Sequence, residues 1–352
     1  MKEKYFWVDA LRVFAIASVV AVHVSADIIT EWSSMPRSWW WAANFYDSLA
    51  RGAVPIFVML SGALLLPQVE SYRDFFGKRF QRIFIPFVAW TVFYLFWRKC
   101  FYEPHMGIQE AVKRITNNEV HFHLWFLYMI AGLYLMTPFL RIFTAHASRR
   151  DFLFFLGLCF FIASLVPFWG RLDDLLFHTG IRFHIPGEAA QGFIGYFLLG
   201  FFLLRESKPS FLAGAGAAWF AAFLICFMGS GWIALHFNQF PALFYDNAAP
   251  NVVLYVVSFF IIVKETTPRI ETQLNTGIKQ CLLSFSSVSF GIYLIHPVFI
   301  DVFNHGRFGF VLTPAVMGHP AWSIPVTSAV IYICSYLVVS GMRKIPVLKN
   351  TV

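Results

Sequence analysis

The sequence predicts an all-α polytopic membrane protein with about ten transmembrane helices, and three observations predict it. AVILMFWYC residues make up 58% of the 352 and DEKR residues only 13%, whereas a soluble domain is about 45–50% apolar even with Gly counted. Mean hydropathy is +0.63, so most of the chain needs a bilayer as its solvent. The apolar residues also fall into stretches of roughly the 20 residues that a membrane helix needs. Disorder, a collagen helix, a coiled coil and a secreted disulfide scaffold are excluded by the same composition.

The ten stretches centre on residues 6–26, 50–66, 80–97, 121–140, 152–169, 189–204, 211–235, 248–263, 281–300 and 321–342. The first follows Lys2 and Lys4, and Val24-Ser25-Ala26 imitates a peptidase site. Its apolar run is too long for a cleavable leader, and it carries Asp9 and Arg12, so it reads as a retained span. The second is opened by Arg51, the third is entered by Arg82, and the fourth begins at His121 and His123. The fifth to eighth and the tenth hold no acidic or basic residue, while the ninth carries His296 followed by Pro297, where a kink is expected. With no repeat, linker or soluble segment, residues 1–352 read as one membrane domain without an appended soluble domain.

Ten spans place both termini on one side. Of the 27 Lys and Arg, 17 fall on that side, nine on the other and Arg12 within span one. The positive-inside rule therefore puts both termini in the cytoplasm, against the local trend of Arg98, Lys99, Lys113 and Arg114. The net charge of +8 contains no basic run of five, so it reads as topology rather than nucleic-acid binding. Long outer loops are expected at 27–49, 98–120, 170–188, 236–247 and 304–320. Trp32, Trp39, Trp40, Trp41 and Trp169 lie near that face, as an interfacial belt or as platforms for sugar rings. The five cysteines lack a CxxC and sit in or beside apolar stretches, where they pack as small hydrophobes.

Charges within hydrocarbon are expensive and mark function by default. Arg12 and His23 are 11 residues apart, three helical turns plus about 20°, hence on one face and about 16 Å apart along the axis. Asp9 is placed to neutralise Arg12, and Asp27, four residues after His23, to fix the imidazole tautomer. The alternative for Arg12 with Asp9 is a buried packing pair. His296 stands at a depth like that of His23, as a second functional imidazole or a core histidine. His121 and His123 would point about 200° apart on a helix, so no metal site is assigned. Lys78, Arg79 and Arg82 cluster where the third span begins, as anchors or as a seat for phosphate, which guanidinium forks suit. A histidine base with neither GxSxG nor a P-loop points to group transfer between an inside donor and an outside acceptor.

The Arg12-to-His23 spacing, Arg79-x-x-Arg82, HLWFLY at 123–128 and SFGIYLIHP at 289–297 together resemble the bacterial acyltransferase-3 family of integral membrane acyltransferases. DSLARGAVPIFVMLSGALLL at 47–66 and LWFLYMIAGLYLMTPFL at 124–140 are especially similar to its surface-glycan O-acetyltransferases, including the enterobacterial common antigen type. The resemblance implies a ten-helix core in the bacterial inner membrane that takes acyl groups from cytoplasmic acyl-CoA, acetyl-CoA above all, and places them on extracytoplasmic glycans or lipid-linked precursors. It implies that His23 is the essential histidine with Arg12 as motif partner, and that Arg79 and Arg82 meet the donor. Arg51, His123, Trp125, Tyr293 and His296 match recurring positions and are expected on the acceptor side. Joined to the residue reading, CoA phosphates meet Lys78, Arg79 and Arg82, the pantetheine arm passes Arg12, and His23, oriented by Asp27, takes a sugar hydroxyl's proton. The rival reading is a transporter or flippase, although inverted repeats with paired broken helices are not evident.

Overall fold

A computed structural model describes residues 5–181 and 188–352, with backbone alone for 188–191. Among the described residues every regular element is a helix. Lys2, Lys4 and Arg182, three of the basic residues counted for topology, lie outside them.

α1 (Phe6–Thr30) is a straight span without Pro or Gly, and Asp9 in its first turn complements the helix dipole. α2 (Arg37–Ala50) and α3 (Ala53–Leu65) follow, with only Arg51 and Gly52 between them, and together form one span from Arg37 to Leu65. The outer loop expected at 27–49 is thus mostly helix, and Arg51 lies inside a span. The expectation failed because Asn44, Asp47 and Ser48 interrupt the apolar run, yet all three are buried against protein. Trp40 is buried as well, at 3% exposure, so it is neither belt nor sugar platform.

α4 (Tyr72–Arg79), capped by Ser71 on the Asp74 amide, runs through a π-helical turn (Phe80–Phe84) into α5 (Ile85–Phe101). α6 (Ile108–Thr116) is a short amphipathic helix within the expected loop after span three. α7 (Trp125–His146) begins after His123, so His121 and His123 stand on the turn before it. α8 (Arg149–Phe160), started by a Ser148–Asp151 capping box, a second π turn (Phe161–Leu165) and α9 (Val166–Leu176) make one span. α10 (Glu188–Glu206), α11 (Leu212–Phe237), the short α12 (Ala242–Tyr245) and α13 (Pro250–Gln273) follow.

α14 (Thr276–Ser287) and α15 (Ser289–Asn304) are bent by 69° at Val288. Pro297, where a kink is expected, sits inside α15, and the sharp bend lies nine residues earlier, at Val288. α16 (Pro314–Met317) and α17 (Pro320–Met342) complete the chain. Among the described residues eight helices are long and apolar enough to cross a membrane, nine if the bent pair counts as one. α10, with the apolar stretch 192–204, packs among them.

α3 and α10 approach most closely where Gly62 faces Phe197 and Gly200 faces Met59. A Cβ on either glycine would overlap the opposing backbone carbonyl, the small-residue contact by which membrane helices pack without a hydrophobic drive. α1 packs against α2, α3, α13, α14, α15 and α17, so the helix that carries Arg12 and His23 lies at the centre. Phe96, Phe139 and Phe154 are more than 60% exposed on the periphery, where lipid would cover them.

Candidate active site

Four histidines converge at the end of the bundle reached by the later turns of α1. The His23 ring stacks on His296 of α15 at 5.4 Å and lies 4.7 Å from Phe122. His123 is 5.7 Å from His296, and His121 Nδ1 is 2.9 Å from His123 Nδ1, so one donates to the other. The expected 200° divergence of these two assumed a helix; the irregular turn folds them together. Tyr94 of α5 closes the cluster, its ring 4.3 Å from His121 and its hydroxyl donating to Leu294 O at 2.7 Å. The Tyr293 hydroxyl donates to His123 O.

His296 is wholly buried, and its Nδ1 lies 2.8 Å from Tyr293 O and 3.2 Å from Ile292 O. A nitrogen facing two carbonyl oxygens carries the hydrogen, so the neutral ring presents Nε2 as an acceptor. That Nε2 is buried without a hydrogen-bond partner, as is the Nε2 of His123. Leaving such atoms unpaired costs about 1–3 kcal/mol each, a cost that a bound polar group would remove.

A cavity of about 580 Å³ opens over this cluster, lined among others by His23, Asp27, Trp97, Tyr102, His121 and Asp301. Asp301 accepts from Trp97 Nε1 and Arg307 Nε, each at 3.1 Å, and from the Tyr102 hydroxyl. Asp27 does not orient His23: its carboxylate accepts from Asn304 Nδ2 at 3.2 Å. The sequence spacing allowed the His23 contact, but Asn304 from α15 takes it.

Arg51 is also placed differently from expectation. It lies behind the histidines rather than in the cavity, ion-paired with Asp47, bonded to Tyr245 O at 3.2 Å and stacked 4.1 Å over the Tyr245 ring. Asp47 accepts from Ser25, two residues after His23 on α1. Trp125 is outside the cluster too, packing against Phe193 at 5.7 Å.

At the opposite end Arg12 pairs with Asp9 at 3.3 Å, and Asp9 accepts from Ser286 at 2.5 Å. Arg79 stacks over Phe75 and Tyr134 at 5.0 and 5.7 Å, while Arg82, on the π turn, and Lys78 are exposed. π turns re-aim side chains and recur at functional sites.

Between the two ends the stripe is closed. Positions 16 and 19 lie within about 40° of the face shared by Arg12 and His23, and Ile16 and Val19 are 0% and 4% exposed. The sequence reading passed over Tyr94, Phe122, Asp301, Asp47, Glu70 and Arg141. Asp301 left a signal, an acid five residues beyond His296; Tyr94 and Phe122 are ordinary residues of aromatic-rich segments.

A family model described as an acyltransferase domain matches residues 5–340. The chain belongs to the acyltransferase-3 family. It is therefore a multi-pass membrane acyltransferase. Neither a curated relative nor a solved structure matches it. Among the described residues no group of three or more His, Cys, Asp or Glu has the arrangement to hold a metal ion.

Proposed function

We propose that this acyltransferase moves an acyl group, acetyl in the simplest case, from cytoplasmic acyl-CoA to a hydroxyl of an extracytoplasmic surface glycan or its lipid-linked precursor, within a bacterial inner membrane. The observation that carries the reading is the placement of His23 in the wall of an open cavity, on the same helix face as Arg12. The aromatic and carboxylate walls of the cavity, with Trp97, Tyr102, Asp27 and Asp301, suit a polyol, since rings cover the apolar faces of sugars and carboxylates accept their hydroxyls. The motifs at 47–66 and 124–140 favour a surface glycan of the enterobacterial common antigen type.

In the reaction His23 takes the hydroxyl proton as the sugar oxygen attacks the thioester carbonyl. The carbon–sulfur bond breaks as the carbon–oxygen bond is completed, and the thiolate leaves with the proton that His23 held. His296, stacked on His23 with its Nε2 unpaired, steadies the imidazolium of His23. Ile16 and Val19, packed between Arg12 and His23, count against a preformed path, so direct transfer requires these side chains to move aside when the donor binds.

Purified protein with labelled acetyl-CoA and a surface glycan tests the reading, transfer being followed by mass spectrometry. Conversion of His23→Ala should lower turnover about 10²–10⁴-fold while the variant inserts and melts as wild type. Full activity of that variant removes His23 as the base. Flux of a glycan precursor across vesicles without any acyl transfer supports the transporter reading instead.

A further inference from the structure

After α17, residues 343–352 fold back across one end of the bundle. Arg343 Nη1 donates to Ser287 Oγ at 3.0 Å and to Ser287 O at 3.2 Å. Ser287 adjoins the Ser286 that bonds Asp9, so the segment lies at the Arg12 end of α1. Tight turns carry it onward, with the Leu348 amide bonded to Ile345 O and the Thr351 amide to Leu348 O. It reaches both α5 and α15. The Trp90 indole donates to Thr351 O at 2.8 Å, and Val352 packs over Gly291, where an added Cβ would stand 3.1 Å from the Val352 Cβ.

Two features make this segment a closure rather than part of the frame. The first is its position. Gly291 lies five residues before His296 on α15, about 7–8 Å along the axis. The Trp90 ring is 5.8 Å from that of Tyr94, which in turn touches His121. Arg82 stands eight residues before Trp90, on the π turn that leads into α5. Thr351 and Val352 therefore sit between α5 and α15, at a depth between Arg82 and the histidines. Ile16 and Val19 fill the other line, along α1.

The second feature is how lightly the segment is held. Among the described residues, the hydrogen bonds that tie it to other elements are those of Arg343 with Ser287 and of Trp90 with Thr351. Ile345, Pro346, Val347, Lys349 and Asn350 are exposed, and Leu348, Thr351 and Val352 are only half-buried. Trp90, which they cover, is buried.

We propose that residues 343–352 are an autoinhibitory strap, in which Thr351 and Val352 shut the acyl donor's way between α5 and α15 and lift off Trp90 and Gly291 when the donor binds. The proposal rests on the acyl-CoA reading for the identity of the donor. The Thr351 carbonyl is a peptide acceptor, the same group that the amides of a pantetheine arm carry. Trp90 Nε1 thus exchanges one amide acceptor for another and is not left unpaired. One neutral hydrogen bond and a half-buried valine, set against the entropy of ordering the segment, favour the closed strap about tenfold. A donor that needs the strap open binds more weakly by that factor.

The test is calorimetric binding of CoA to the full chain in detergent and to a chain from which residues 350–352 are removed. Removal should tighten CoA binding about tenfold and lower donor KM by a like factor with kcat unchanged. Access to the strap is a second measurement. A maleimide should label the Val352→Cys thiol about threefold faster or more at saturating CoA than without it, rates being read from the mass of the labelled peptide. If the shortened chain does not fold by thermal melting, the labelling decides. Unchanged or weaker CoA binding by a folded shortened chain, or labelling that CoA leaves unchanged or slows, makes the segment a structural clasp and overturns the proposal. Tighter binding and faster labelling without acyl transfer to any glycan would remove the functional reading alone, whereas absence of CoA binding by both chains removes the two together.

Discussion

Asp47 and Arg51 form an ion pair inside the second span, and removing one partner should be far worse than removing both. The Asp47 side chain is 1% exposed and Arg51 is 19% exposed. After Arg51→Met the carboxylate keeps only the Ser25 hydroxyl at 3.3 Å. An uncompensated buried charge of this kind costs about 3–5 kcal/mol. Asp47→Asn is milder, about 1–3 kcal/mol, because Arg51 retains Tyr245 O and the Tyr245 ring. Replacing both, as Asp47→Asn with Arg51→Met, removes the charge as well as its partner and should recover about 2 kcal/mol or more relative to Arg51→Met alone. The assay is a double-mutant cycle on reversible denaturant unfolding in detergent, with folded helix content as the signal. Additive single substitutions, or a double variant worse than Arg51→Met, would refute the reasoning that desolvation of Asp47 is the dominant cost. Ser25 ties the pair to α1 beside His23, so Arg51→Met should also lower acyl transfer more than its folded fraction explains.

His296→Phe preserves the ring that stacks on His23 while deleting Nε2 and Nδ1; acyl transfer should fall about tenfold or more in a variant that still folds, and full activity would show that His296 only packs. Burial raises Glu70, but hydrogen bonds from Lys78 and Arg141 outweigh it and bring the carboxyl from 4.5 down to about 2. A depressed carboxyl stabilises the fold fully above pH 4.5 and loses that contribution as pH falls toward 2. Discounted for the open cavity beside it, the loss is about 1–2 kcal/mol, read as the wild-type melt falling more steeply with acid than that of Glu70→Gln; parallel profiles would contradict it. Gly62→Val drives a side chain into the Phe197 carbonyl and should cost about 3 kcal/mol or more, seen as loss of folded protein on size exclusion, whereas the same change at Gly132, which meets nothing within 4 Å, should be tolerated.

Hydropathy by itself determined that this chain is a helical membrane protein, because the bilayer demands runs of apolar residues long enough to cross it and satisfies no backbone group on the way. Spacing also determined that Arg12 and His23 share a face of α1, since an unbroken helix obeys its own period. Proximity between helices was decided only in three dimensions. The meeting of His23 with His296, the pairing of His121 with His123 on a turn, and Asn304 taking Asp27 all join residues whose separation along the chain carries no sign of contact. The second span began earlier than its apolar run because buried partners for Asn44, Asp47 and Ser48 replace the lost hydration, and a hydropathy count has no knowledge of partners. The packed Ile16 and Val19 between the two polar ends have the same cause: a helix face records which residues line up, and only the neighbours show whether the line is open.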